Sequence, residues 1–183
     1  IPYRGHYYVQ WGPFPAVLHM AAKLFGGRLS DRVACLLAGW LASLVFLEIC
    51  LYLRRRFFPL LSACVPVWFF FAFALATPTA IVSLRGTDYH ETIAVAALGV
   101  MAAFWAWLRY TAAPGPLWAA LCGAALAVAV TSRVTQGLYA APLALGFYWA
   151  GRRWVHLVVF AAPVVLAGLI MLAYNHARFG SPL

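Results

Sequence analysis

Long apolar runs follow one another along this chain with only short polar breaks between them, so lipid is the expected solvent for most of it. Of 183 residues, 66% are hydrophobic and 9% are charged, against about 25% charged in an ordinary soluble domain. Only a structure that satisfies its own backbone groups survives in hydrocarbon. The expected fold class is therefore all-α, a polytopic transmembrane helix bundle.

Six runs are candidate spans, the fourth and fifth of them short: roughly 33–53, 58–77, 92–108, 116–131, 134–150 and 154–174. Ser30 or Asp31 can cap the first, and Arg54-Arg55-Arg56 end it. Pro59, Pro66 and Pro78 predict a kink in the second. The fourth and fifth are nearly fused at Thr131-Ser132-Arg133.

Two segments precede the spans. Residues 1–12, IPYRGHYYVQWG, are aromatic and polar, and suit a membrane interface where Tyr and Trp settle. Residues 13–25, PFPAVLHMAAKLF, are too few to cross a bilayer. Pro15, His19 and Lys23 share one helical face, while Val17, Leu18, Ala21 and Leu24 lie on the other. That pattern predicts one interfacial amphipathic helix. The expected organisation is a single transmembrane domain over 1–183. Residues 1–32 close an extracytoplasmic loop, 33–174 hold six spans, and 175–183 start the next such loop. With no initiator Met and an aromatic loop at its start, the chain reads as an internal fragment.

Cys35, Cys50, Cys64 and Cys122 all lie inside apolar runs without metal spacing, so they read as small hydrophobes rather than disulfides. The formal net charge is +9, with Asp31, Glu48, Asp88 and Glu91 the only acids. Arginine at span ends explains this balance, because it anchors to lipid phosphates. No basic stripe with interleaved aromatics points to nucleic acid.

Placing Arg54–Arg56 in the cytoplasm puts Arg109 and Arg152-Arg153 there too, six basic residues in all. Arg28, Arg32, Arg85, Arg133 and Arg178 then make five on the opposite side, and Arg4 and Lys23 even the count further. The margin is narrow, but both runs of adjacent arginines land together. The non-cytoplasmic face then collects the aromatic opening, the loop from Arg85 to Glu91, Arg133 and the stretch Tyr174–Arg178. Three of the four carboxylates and nearly all the histidines lie there. A site is expected on that face, at headgroup depth.

Asp88 and Glu91 precede an apolar run as a capping-box variant. Either carboxylate could also act as a general base, and with His90 between them the group could hold a divalent cation. Arg133 is an interfacial anchor or a clamp for a lipid phosphate, with Arg85 and Arg178 as further candidates. Tyr7, Tyr8 and Trp11 anchor at the interface or stack on sugar. Glu48 is expected to pair with Arg54–Arg56, and His19 and His156 to be interfacial. No nucleophile elbow, P-loop, dinucleotide fingerprint or zinc motif occurs.

The run Gly5-His6-Tyr7-Tyr8-Val9-Gln10-Trp11-Gly12-Pro13-Phe14-Pro15-Ala16-Val17-Leu18 resembles the G-x-Y-Y…P-P-G-P-A-L-L segment of bacterial GT-C-type membrane glycosyltransferases. These include the protein O-mannosyltransferase, aminoarabinose transferase and Rgt-like groups. Tyr89-His90-Glu91, Thr131-Ser132-Arg133 and Tyr174-Asn175-His176-Ala177-Arg178-Phe179-Gly180-Ser181-Pro182 resemble later landmarks in the same order. Gly12-Pro13-Phe14-Pro15 departs from the family's P-P-G.

The resemblance implies a large first extracytoplasmic loop with surface helices, followed by a bundle of spans in a bacterial inner membrane. It implies inverting sugar transfer from a polyprenyl-phosphate-linked donor to a glycan, lipid or protein acceptor, assisted by a carboxylate base. The family's main catalytic Asp would lie upstream of Ile1. Within the chain the expected catalytic residues are Glu91, Asp88 and His90. The expected substrate-binding residues are Arg133, Arg178, Arg85, Tyr7 and Tyr8. A transporter or lipid flippase is the rival from another class, and a non-catalytic membrane subunit is a second. A transporter predicts midplane polar groups and repeated halves, and the sequence shows no internal repeat.

Overall fold

A computed structural model of the chain describes residues 2–3, 6–7, 12–76, 88–151 and 153–180. A two-residue antiparallel ladder pairs Pro2 with Tyr7 and Tyr3 with His6. Seven α-helices follow among the described residues: α1 (Phe14–Leu24), α2 (Asp31–Phe57), α3 (Cys64–Ala76), α4 (Asp88–Ala112), α5 (Pro116–Ser132), α6 (Ala140–Gly151) and α7 (Trp154–Phe179). A 3-10 turn, Val134–Tyr139, joins α5 to α6.

The core forms where α4, α5 and α7 pack, and small residues make that packing close. Ala103 and Ala106 of α4 meet Ala119, Cys122, Leu126 and Ala129 of α5 in one buried cluster, which Phe160 and Ala167 of α7 complete. Gly123 lies so close to α7 that a Cβ there would strike the Phe160 carbonyl oxygen and come within 2.7 Å of Pro163 Cγ. Helices in lipid gain little from burying apolar surface against each other, so close backbone approach over small residues carries the association. On the other side of α4, α2 packs with Ala38 against Ala94 and Val95. Helix α3 leans on α2 through a Phe46–Phe73 stack, centroids 4.4 Å apart. Trp40, Trp68, Leu75, Trp149 and Leu166 point outward and exposed, as side chains do where the surroundings are hydrocarbon.

Helices α2, α4 and α7 are long and apolar enough to cross a membrane. The 26 residues of α7 extend about 39 Å, beyond the roughly 30 Å hydrocarbon core. The other expected spans take shorter forms. Helix α5 has 17 residues, and the expected span 134–150 is a six-residue 3-10 turn followed by the 12-residue α6.

Several expectations are corrected. The expected span 58–77 is helical only from Cys64. Pro59 disfavours helical backbone at Phe58 and supplies no N–H, so α2 stops and the chain turns. Pro66 falls in the first turn of α3, where its missing N–H costs nothing. Pro78 lies outside the described residues. The expected loop from 175 is helix as far as Phe179; Gly180 ends it in the left-handed region at φ 75°.

Glu48 pairs with Arg109 of α4 at 3.5 Å rather than with Arg54–Arg56. Arg55, the member of that run on its face, lies two turns away, about 10 Å along the axis, while α4 brings Arg109 alongside. Arg54 instead donates from Nε to the Leu61 carbonyl at 2.6 Å. His156 is buried in the protein, with Nδ1 2.9 Å from Tyr110 Oη. Among the described residues none of the four cysteines is in a disulfide.

Candidate functional site at one end of the bundle

Two groups of polar side chains meet where α2 and α4 begin and where α5 and α7 end. Ser30 caps α2, its Oγ accepting from Val33 N at 3.3 Å, and so places Asp31 in the first turn. Glu91 sits in the first turn of α4. Carboxylates at both positions face the positive ends of helix dipoles. Helix α1 lies across these ends, with Phe14 and Leu18 packed against Ala38, Ala94 and Val95. That packing leaves His19 facing the carboxylates, while Lys23 on the same face stays exposed.

The result is a His–carboxylate cluster from three elements. His19 Nε2 lies 3.1 and 3.0 Å from Glu91 Oε1 and Oε2 and 3.5 Å from Asp31 Oδ1. Glu91 is only 2% exposed, whereas the side chains of His19 and Asp31 are 26% and 43% exposed. A buried carboxylate is costly unless its charge is partnered, and His19 is a partner for it. The three donor groups converge within 4.8 Å of one another, close enough to hold a metal ion.

The second group is an arginine-lined cleft of about 280 Å³. Gly12, Ser132, Arg133, Thr135, Tyr174, Asn175 and Arg178 are among its walls. Arg133 leaves the helix in extended backbone at the end of α5. The hydroxyls of Thr131 and Ser132 fold back onto the carbonyls of Ala127 and Val128 at 2.8 Å each, which ties down the last turn before it. Arg178 lies on the last turn of α7, its guanidinium 4.5 Å from the centre of the Phe179 ring. Gly12 closes the cleft so tightly that a Cβ there would collide with the carbonyl oxygens of Thr131 and Ser132. From Gly12 the chain runs straight into α1. His19 comes seven residues later, about 10 Å along a helix axis.

The structure thus brings Arg133 and Arg178 into one cleft and places Glu91 in the cluster. The carboxylate expected to cap α4 is buried against His19. His90 is part-exposed and is not among the three converging donors. Asp88 begins α4, and Tyr7 lies in the two-residue ladder; both are placed by backbone alone. Arg85, Tyr8 and Trp11 lie outside the described residues.

Sequence reasoning passed over His19 and Asp31. The signal available was topological, since the surface helix and the start of the first span were assigned to the same face as Glu91. The contact itself joins residues 72 apart, which no local period reveals. Comparison of the chain with protein-family models, with curated proteins and with solved structures gave no match.

Proposed function

We propose that this chain belongs to a membrane glycosyltransferase that moves a sugar from a polyprenyl-phosphate-linked donor to an acceptor at the non-cytoplasmic face of a bacterial inner membrane. One observation carries the reading: a cleft with two arginines and the His19–Glu91 pair, its carboxylate buried, lie at the same end of an apolar bundle. The proposal keeps six crossings: α2, α4 and α7 are long enough for three, and 58–77, α5 and the joined 134–151 segment would supply the others.

The chemistry needs two kinds of group. An acceptor hydroxyl attacks the anomeric carbon, and the bond from that carbon to the phosphate oxygen breaks. The lipid phosphate leaves with the electron pair, and the acceptor proton passes to a base. Arg133 and Arg178 offer planar forks of donors to the phosphate, where negative charge grows as the bond breaks. Glu91, oriented by His19, is the base. The resemblance of the Gly5–Leu18 run, Thr131–Arg133 and Tyr174–Pro182 to GT-C-type enzymes supports the same reading.

The test is turnover of a radiolabelled polyprenyl-phosphate sugar by the full-length protein in proteoliposomes. Loss of a general base costs about 10²–10⁴ in rate, so Glu91→Gln is expected to lower kcat by that range. A hydrogen bond to a charged group contributes about 1.5–3 kcal/mol, so Arg133→Ala is expected to raise the donor KM about tenfold to a hundredfold. Unchanged kinetics in both variants would remove these residues from the reaction. Label moved across the bilayer without transfer would favour a flippase.

A further inference from the structure

We infer that His19, Asp31 and Glu91 form a binding site for one divalent transition-metal ion of the zinc class. The inference needs only the donor set and its geometry, and it shares His19 and Glu91 with the proposed transfer reaction: with an ion bound, Glu91 would be a ligand rather than a free base.

The geometry is that of a ligand set. A metal bound at about 2.0–2.1 Å in tetrahedral coordination separates its ligand atoms by about 3.4 Å. His19 Nε2 lies 3.0 Å from Glu91 Oε2 and 3.5 Å from Asp31 Oδ1, two edges that bracket that value, and the two carboxylates lie within 4.8 Å of one another. One imidazole nitrogen with two carboxylates is a mixed donor set that suits zinc and its neighbours, whereas magnesium and calcium favour oxygen alone.

Charge points the same way. Two carboxylates, a neutral imidazole and a divalent cation sum to zero. The positive ends of α2 and α4 favour the ionised carboxylates that a metal requires. Partial exposure of His19 and Asp31 leaves an entry path and room for a water in the fourth position. The three ligands come from α1, α2 and α4, so a bound ion would tie the surface helix to the bundle.

The experiment uses full-length protein in detergent, stripped with a chelator, dialysed against Co²⁺ or Zn²⁺, and analysed for bound metal. One ion per chain is expected. The Co²⁺ form should show the intense visible absorption of tetrahedral coordination. Asp31→Asn and His19→Ala should each weaken binding by at least about tenfold, the lower end of what even outer partners of a metal contribute, and His176→Ala should leave it unchanged. Asp31 is part-exposed, so Asp31→Asn keeps the test valid if Glu91→Gln fails to fold. Absence of bound metal, or binding equal to native in Asp31→Asn, overturns the site.

Discussion

Tyr110 is fully buried among α4, α6 and α7, with Oη 2.9 Å from His156 Nδ1 and its ring edge-on to Phe147 at 4.5 Å. Removing that hydroxyl leaves a buried ring nitrogen without its partner, which costs about 1–3 kcal/mol. Tyr110→Phe should therefore lower the melting temperature of the detergent-solubilised protein while leaving the far cleft intact, and an unchanged melting curve would contradict the buried pairing. At this scale the sequence was only partly legible. Arg133, Arg178 and Glu91 stand out as polar groups at the ends of apolar runs, and they do gather at one end of the bundle. His156 sits three residues into its helix, where position alone cannot separate an interfacial ring from one folded under a neighbour. His19 shares a face with Pro15 and Lys23, but its partners sit on α2 and α4. Packing of Phe14 and Leu18, rather than any spacing, decides that meeting.

Helices α5 and α7 cross where Gly123 meets the backbone of Phe160. A methyl group added at that crossing has no free volume, and forcing one into a well-packed contact costs about 1–3 kcal/mol. Gly123→Ala should lower thermal stability and spread the ends of α5 and α7 that carry Arg133 and Arg178. Gly168→Ala, facing open space on α7, is the control that should behave like the native protein; equal stability of the two variants would contradict the tight crossing. The elements themselves were readable because apolar runs between polar breaks mark helices in lipid directly. Their ends were less so. Helix α2 begins where Ser30 caps it and stops before Pro59, both local signals. Helix α7 continues through polar Asn175, His176 and Arg178, because polarity does not end a helix and the left-handed Gly180 does. Residues 134–150 read as one run, yet the first six are 3-10.

For the whole molecule, the account rests on polarity being sorted to one end. Residues Arg54–Arg56 and Arg153 mark one end of the helices. His19, Asp31, Glu91, Arg133 and Arg178 mark the other. Composition made the bundle legible, but it left orientation to a narrow count of arginines. The most direct measurement is labelling by a membrane-impermeant maleimide in sealed right-side-out vesicles, using full-length protein with the exposed Cys64 changed to Ser. Thr135→Cys lines the arginine cleft and should react from outside, and polyprenyl-phosphate donor should slow its reaction. Arg55→Cys should react only after the vesicles are opened. Labelling of Arg55→Cys from outside, or a Thr135→Cys rate indifferent to the donor lipid, would contradict a lipid-phosphate site on the non-cytoplasmic face.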